Sequence, residues 1–184
     1  MRATRFNHVS IPCRDLDESE RFYRDVFRLE RLPTFDFRFP VRYLGVGEQQ
    51  LHLMQLPDEE PLPNQHFAFD VDDFEAAFVR LRKADALDGR ASGQAVWELP
   101  DGSVQMYARD PAGNLLEVNW PDVSSLDRDV IGEIPRDVFA ADVTGTELSQ
   151  HEITRAEVIE PGGEAFDLSR CHVDLGLVQR PRGS

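Results

Sequence analysis

Two stretches of the chain decide its fold: FNHVSIPCRDLDESERFYRDVF at residues 6–27 and QHFAFDVDDFEAAFVRL at residues 65–81. Each opens with a short strand-like run that contains a histidine, and each continues into a helix-like run. His66 follows His8 by 58 positions, and further matching residues recur at the same offset. A repeat at a fixed spacing indicates two copies of one structural unit.

Both helix-like runs carry a start signal. Asp15 stands where it can cap the first helix, and Glu18 follows three residues later, as in a capping box. Asp73 occupies the equivalent place before the second helix. Each run then shows an apolar stripe at helical spacing. The stripes comprise Leu16, Ser19, Tyr23 and Val26 in the first run, and Phe74, Ala77, Phe78 and Leu81 in the second.

Strand-like segments follow each helix, so each half is predicted to have the order βαβββ. The segments are residues 32–39, 41–47 and 50–56 in the first half, and 94–99, 103–109 and 114–120 in the second. A linker rich in proline and acid, PDEEPLPN, separates modules of about residues 5–56 and 64–120. We therefore predict an α+β fold in which two modules form a curved, cup-like mixed sheet with helices on its outer face.

The pattern changes after Pro121. We expect a domain over residues 1–121 and an acidic C-terminal extension over 122–184 that wraps the domain or a partner subunit. Its apolar residues argue against a purely disordered tail; they include Val130, Ile131, Ile134, Val138 and Phe139. The extension also contains His151, Glu152 and His172, whose spacing does not form a metal-binding motif and which we expect at a surface or interface.

Composition narrows the class of partner. The chain has a formal net charge of −14 and a sequence pI of about 4.7, so nucleic acid and membrane surfaces are not expected partners. No secretory signal or membrane-spanning stretch is recognisable. Cys13 and Cys171 are the only cysteines, which favours a reduced, cytoplasmic setting over a disulfide framework.

The strands place polar side chains on one common face. Because side chains alternate along a strand, His8, His52, His66, Tyr107 and Glu117 oppose the apolar residues of their own strands. Three imidazoles and a carboxylate that converge inside a cup need compensation for their lost hydration, and a divalent metal ion supplies it. This donor set suits Fe, Mn, Co, Ni or Zn, and two histidines with one carboxylate suit Fe(II) oxygen chemistry.

The sequence resembles the vicinal-oxygen-chelate superfamily, which includes glyoxalase I, bleomycin-resistance proteins and extradiol dioxygenases. The resemblance is carried by FNHVSIPCRDLDESERFYRDVF, LHLMQ, QHFAFDVDDFEAAFVRL and YARDPAGNLLEVNW. These motifs occur in order, and the resemblance spans residues 5–120. It implies paired βαβββ modules, a divalent metal ion, preferably Fe(II), a small-molecule substrate and a homodimer.

The resemblance also implies roles for individual residues. His8, His66 and Glu117 match the metal-binding triad. His52 falls at the fourth ligand position, where glyoxalase I has a glutamate, and it also fits the acid/base histidine of extradiol dioxygenases. Tyr107, ten residues before Glu117, fits the tyrosine of those dioxygenases, although fosfomycin-resistance enzymes share that spacing.

These matches lead to alternative functional hypotheses. The first is a metal-dependent enzyme whose substrate chelates the ion through neighbouring oxygens. Ring-cleaving dioxygenase chemistry is favoured over glyoxalase-like isomerisation because His52 replaces a glutamate. The other hypothesis is a metal-free drug-binding resistance protein, which would not need His8, His66 and Glu117 together.

Overall fold

The computed structural model describes residues 1–89 and 93–136, and its elements follow the predicted order. The first module contains β1 (His8–Cys13), α1 (Leu16–Phe27), β2 (Arg31–Leu32), β3 (Val41–Val46) and β4 (Gln49–Gln55). The second contains β5 (His66–Asp70), α2 (Phe74–Lys83), β6 (Val96–Glu98), β7 (Val104–Arg109) and β8 (Leu115–Trp120). The predicted pair of βαβββ modules is confirmed.

Each module forms its own four-stranded mixed sheet. The strand orders are β1-β4-β3-β2 and β5-β8-β7-β6. In both sheets the first strand pairs in parallel with the last strand of its module, and the remaining pairs are antiparallel. The parallel pair requires a crossover, which the helix of each module provides. The α+β class is confirmed, with the strands divided between two hydrogen-bonded sheets.

Both helices begin where the sequence predicts. The carboxylate of Asp15 accepts a hydrogen bond of 2.9 Å from the backbone N–H of Glu18. Asp73 accepts one of 2.8 Å from the N–H of Ala76. These bonds satisfy N–H groups that have no partner within the helix.

The core contains the apolar stripes of the two helices and the apolar faces of the strands. Tyr23 and Phe74 are fully buried. Their strand partners in the buried cluster include Leu51, Leu53, Met106, Leu116 and Val118. These residues alternate along β4, β7 and β8, as the strand pattern predicts.

One charged side chain on α1 departs from this pattern. Glu20 is only 6% exposed, and its carboxylate accepts a hydrogen bond of 2.6 Å from Arg42 of β3. The side chains of Arg24 and Arg31 lie 3.5 and 3.6 Å from the same carboxylate. Burial of this charge is offset by these arginines, so the ion pairs help to hold α1 on the first sheet.

The prediction of a strand over residues 32–39 is wrong. Only Arg31–Leu32 pair with β3, and the chain between β2 and β3 has no regular secondary structure. Pro33 and Pro40 lack the N–H that a ladder requires, and they bracket the segment. The alternating phenylalanines of TFDFRF therefore imitate a strand pattern without forming one.

A buried carboxylate joins the two modules. Asp110, in the turn between β7 and β8, accepts a hydrogen bond of 2.9 Å from the hydroxyl of Tyr23 on α1. It also accepts bonds from Asn114 and Ala112. The side-chain amide of Asn114 in turn donates to the carbonyl of Pro12 in β1, at 2.8 Å. Asp110 and Asn114 thus form a turn, as expected, and also bind the first module.

Burial raises the pKa of Asp110, although the hydrogen bonds from Asn114 and Tyr23 act in the opposite direction. Desolvation and the neighbouring Asp110 charge together raise the pKa of Tyr23 well above its ordinary value. The tyrosine therefore stays protonated and donates to the carboxylate. This pair contributes to stability through a charge-assisted hydrogen bond in a buried setting.

Part of the residue 122–184 extension lies against the second module. A short 3-10 turn (Val123–Ser125) leads to α3 (Arg128–Ile131), and Leu126 and Ile134 are buried. Residues 137–184 lie outside the described residues. They contain Val138, Phe139, His151, Glu152, Cys171 and His172, for which expectations were given above. No helix in residues 1–89 and 93–136 is long and apolar enough to cross a membrane.

Replacing Tyr23 with phenylalanine tests the junction between the modules. Loss of a donor to a buried carboxylate should lower the free energy of unfolding by about 1.5–3 kcal/mol near neutral pH. The loss should shrink as the pH falls through the raised pKa of Asp110, because a neutral carboxyl group is a weaker acceptor. Urea denaturation across this pH range measures both effects.

Tyr43→Phe is the matched control, because the ring of Tyr43 stacks on His52 in the first sheet, away from Asp110. It should change the free energy of unfolding by less than about 0.5 kcal/mol. Equal losses in the two variants, or a Tyr23→Phe loss that does not vary with pH, would contradict the account of the junction.

Candidate functional site

The second sheet brings one predicted imidazole against the predicted carboxylate. His66 begins β5, and Glu117 lies in the centre of the neighbouring β8. Nε2 of His66 is 3.3 Å from Oε2 of Glu117. The Glu117 side chain is 6% exposed and that of His66 is 40% exposed, so the pair lies at the boundary between protein and solvent.

The hydrogen bonding of His66 determines what must lie between its Nε2 and the Glu117 carboxylate. Nδ1 of His66 lies 3.0 Å from the backbone carbonyl oxygen of Asn64, which can only accept, so Nδ1 carries a proton. In the neutral ring Nε2 then presents a lone pair to the Glu117 carboxylate. Two acceptors at this distance require a proton or a metal cation between them. Metal-binding histidines commonly donate their other N–H to a carbonyl in this way.

The second oxygen of Glu117 is also held in place. The side-chain amide of Gln105 on β7 donates a hydrogen bond of 3.0 Å to Oε1 of Glu117. The hydroxyl of Tyr107 donates to the amide oxygen of Gln105, also at 3.0 Å. The Tyr107 ring is edge-on to that of His66, with centroids 6.0 Å apart. Tyr107 therefore lies beside the His66–Glu117 pair and acts on it through Gln105.

Gln105 was not predicted as a site residue. Its sequence signal was its place two residues before Tyr107, on the same face of β7. A glutamine on a strand is an unremarkable polar residue until its partners are known. The contact with Glu117 crosses from β7 to β8, and only the register of that pair places the two side chains together.

The first sheet holds the other two histidines as a stacked pair. The rings of His8 and His52 lie 4.2 Å apart at their centroids and are within 9° of parallel. Nδ1 of His8 is 2.9 Å from Oδ1 of Asn7, and Nε2 of His52 is 2.8 Å from Oε1 of Gln50. With amide oxygens as partners, each ring donates through that nitrogen, and in a neutral ring the other nitrogen carries a lone pair.

The stacked arrangement favours a neutral His52. Burial lowers the pKa of His52, and repulsion from the charged form of His8 lowers it further. A histidine that is neutral near pH 7 can coordinate a metal ion or accept a proton. Both roles predicted for His52 require this form.

The five predicted site residues thus form two groups. His8 and His52 belong to the first sheet, whereas His66, Tyr107 and Glu117 belong to the second. Within residues 1–89 and 93–136, no group of three or more histidine, cysteine, aspartate or glutamate side chains is arranged to hold a metal ion. A single chain therefore presents a pair of imidazoles and a separate imidazole–carboxylate pair.

A cleft of about 330 Å³ lies along the first strands of the two modules. Ser10 of β1 and His66 of β5 line it, together with Glu60 and Leu62 of the linker. Arg14 fixes the linker through hydrogen bonds of 2.9 and 3.0 Å to the Glu60 carboxylate. The cleft gives the solvent-exposed side of His66 room for a small molecule.

Cys13 is not part of this chemistry. Its side chain is buried in the core, and desolvation raises its pKa to about 11. A thiol that stays protonated is a weak nucleophile and a poor metal ligand.

Comparison with known proteins now places the fold. The sequence profile of the Glyoxalase/Bleomycin resistance protein/Dioxygenase superfamily matches residues 5–118, which include both modules. The chain belongs to this superfamily. Its members are mostly enzymes and typically use a divalent metal ion. None of the curated proteins compared with the chain matches it.

Solved structures of superfamily proteins share the architecture. Lactoylglutathione lyase from Agrobacterium tumefaciens is 25% identical, covers 67% of this chain and 98% of its own, and has a TM-score of 0.50. The glyoxylase/bleomycin resistance protein/dioxygenase domain from Frankia sp. EAN1pec is 22% identical, with a TM-score of 0.54. That match covers 64% of this chain and 92% of the Frankia domain.

The donor chemistry of this superfamily member fits a divalent ion. Two ligands that each lie about 2.0–2.2 Å from a metal are separated by about 2.8–3.1 Å at a right angle and by about 3.3–3.6 Å at the tetrahedral angle. The 3.3 Å between Nε2 of His66 and Oε2 of Glu117 lies within these limits, near the tetrahedral separation. Nitrogen and carboxylate oxygen are ligands that Fe, Mn, Co, Ni and Zn accept. The pair is therefore suited to hold part of a metal's coordination shell.

Gln105→Leu tests whether Gln105 positions Glu117. Because the variant loses the bond that orients the carboxylate, we expect its affinity for Co²⁺ to fall about 10- to 100-fold, measured by absorption titration. Gln55→Leu is the matched control, since Gln55 of β4 bonds the backbone carbonyl of Arg14 instead. A positioning role is excluded if both variants bind Co²⁺ as tightly as the unchanged protein.

Proposed function

We propose that this protein is a metal-dependent enzyme whose small-molecule substrate chelates a divalent ion through two neighbouring oxygens. The favoured reaction is ring cleavage of the extradiol dioxygenase type. One observation carries the proposal: Nε2 of His66 faces the Glu117 carboxylate at 3.3 Å, while Nδ1 is committed to a carbonyl. That arrangement leaves a place for a cation, and the superfamily supplies the expectation of a metal.

The proposed ligands are His8, His66 and Glu117. Two imidazoles and one carboxylate carry a single negative charge, so a bound divalent ion retains positive charge for an anionic chelating substrate. This set favours Fe(II), with Mn, Zn, Ni and Co as alternatives. The ion would supply Lewis acidity toward the two substrate oxygens and, as iron, a place for dioxygen.

The protein's own residues then handle protons. His52 is the proposed acid/base group: its lowered pKa keeps it neutral and able to take a proton from a substrate hydroxyl. Tyr107 would donate a hydrogen bond to negative charge that develops on the substrate. In the structure its hydroxyl donates to Gln105, so substrate binding would require this hydroxyl to turn from the amide.

A lyase or isomerase of the glyoxalase I type is the second candidate. The 25% identity to the lactoylglutathione lyase from Agrobacterium tumefaciens favours it. His52 argues against it, because an imidazole stands where glyoxalase I has a glutamate. We keep ring cleavage first for that reason.

We further propose that the active form is a homodimer in which each site draws donors from two chains. Within one chain the His8–His52 pair and the His66–Glu117 pair occupy separate sheets. A twofold symmetric dimer would place the first pair of each chain against the second pair of its partner, giving two identical sites.

Metal content and oxygen uptake test the reaction. Protein purified without a nickel column should contain iron and consume oxygen with catechol. His66→Ala should reduce metal affinity by more than about 100-fold and abolish uptake, because a direct ligand is lost. Asp70→Asn is the matched control, since it removes a charge from the same strand at the end away from His66.

Other results would redirect the assignment. Tightly bound zinc or nickel, no oxygen uptake and turnover of a hemithioacetal would identify the isomerase. A metal-free protein that binds an aromatic drug tightly, with unchanged affinity in His66→Ala, would identify a binding protein.

Mixed dimers test the shared site. His8→Ala and Glu117→Gln chains should each be inactive alone. Co-expressed in equal amounts, they should regain about a quarter of the unchanged activity, because half the dimers would contain one intact site of two. Activity that stays absent in the mixture, while its mass in solution is that of a dimer, would show that each site belongs to one chain.

A further inference from the structure

The irregular segment between β2 and β3 exposes three aromatic side chains. Phe35 is 79% exposed, Phe37 40% and Phe39 41%. Neither the core nor the sheet accounts for them, because this segment has no regular structure. Clustered apolar groups at a surface mark binding sites more often than scattered ones do.

These rings are joined to the candidate site by a continuous series of ring contacts. Phe37 lies at its centre, with centroids 6.2 Å from Phe35, 5.7 Å from Phe39 and 6.2 Å from Tyr43. We call these four residues the aromatic row. Tyr43 then stacks on His52 at 3.6 Å and 12°, and His52 stacks on His8.

The register of the first sheet explains the direction of the row. Tyr43 of β3 pairs with His52 of β4, and Ser10 of β1 pairs with His52 from the other side. The tyrosine and both imidazoles therefore share the polar face of the sheet. The row begins at the surface and ends at the proposed donors.

We propose that the aromatic row is a substrate subsite that binds a planar aromatic ring and orients it toward His8 and His52. The inference rests on the proposed function, which already requires an aromatic substrate, and deepens it by naming the residues that hold and select the ring. Flat π faces bind flat aromatic partners through stacked and edge-on contacts. Phe37 contacts the other three members of the row, so it is the main specificity-determining residue.

The size of the exposed surface favours a small molecule over a protein. A phenylalanine side chain presents about 200 Å², so the exposed parts of the three phenylalanines amount to roughly 300 Å². A stable protein interface needs about 800 Å² from each partner. Asp36 and Arg38 alternate with the rings and carry opposite charges, so the segment also suits a ring without strong charge.

Binding of 2,3-dihydroxynaphthalene to the full chain, dialysed against a chelator, tests the subsite by isothermal titration calorimetry. Phe37→Ala should weaken binding about three- to tenfold, the usual worth of an aromatic pair. Phe37→Tyr should restore it, because the π face returns. trans-Cyclohexane-1,2-diol, which has no π face, should bind at least tenfold more weakly than the naphthalene to the unchanged protein.

Arg38→Ala is the matched control, since it alters the same segment without removing a ring, and it should bind the naphthalene like the unchanged protein. Failure of the unchanged protein to bind the naphthalene would overturn the inference. So would equal binding by Phe37→Ala, or a change in its mass in solution, which would assign the row to contacts between copies.

The outcome is separable from that of the proposed function. Metal content of Phe37→Ala should equal that of the unchanged protein, whereas His66→Ala should lose metal and still bind the naphthalene. If the unchanged protein bound the naphthalene but contained no metal, the proposed subsite would be supported and the proposed metal-dependent enzyme would be contradicted. Metal and oxygen uptake without an effect of Phe37→Ala would reject the subsite alone.

Discussion

The arrangement of the two modules depends on the hydrogen bonds that the buried carboxylate of Asp110 accepts. Asp110 is 4% exposed, and it accepts hydrogen bonds from the hydroxyl of Tyr23, the side chain of Asn114 and two backbone N–H groups. A buried charge is tolerated only when its acceptor sites are filled. Here the hydrogen-bond donors come from α1 and from the turn before β8, so satisfying one carboxylate helps to hold one module against the other.

Strand alternation leaves one face of each sheet available for chemistry. Apolar side chains of the strands pack under the helices, and the histidines and the glutamate lie on the other face. The contact of Asn114 with the Pro12 carbonyl connects the end of β1 to the start of β8. Because the backbone is fixed at these points, rigid strands hold the histidine and glutamate side chains of each sheet. Such rigidity suits groups that must meet a ligand with little rearrangement.

Much of this could be predicted from the sequence, because it depended on local periodicity. The capping residues Asp15 and Asp73 predicted where both helices begin, and strand alternation predicted that His52 and Glu117 lie on the polar face. The strand prediction failed over residues 33–40 because alternating phenylalanines match a strand pattern, although Pro33 and Pro40 prevent the hydrogen-bonded ladder. The burial of Glu20 was not predicted either, since two of its arginine partners, Arg31 and Arg42, come from other elements than α1. Likewise, the contact of Gln105 with Glu117 could not be predicted, because it depends on the register between β7 and β8.

The two modules repeat one backbone plan but furnish unlike chemical groups. One carries stacked imidazole rings, whereas the other carries an imidazole ring beside a carboxylate that accepts a hydrogen bond from an amide. A substitution in either half can therefore alter acidity, charge or ligand preference while the framework of its twin stays intact. Duplication of this kind allows natural variation to change the chemical groups of one half at a time, while the backbone of the other half stays the same.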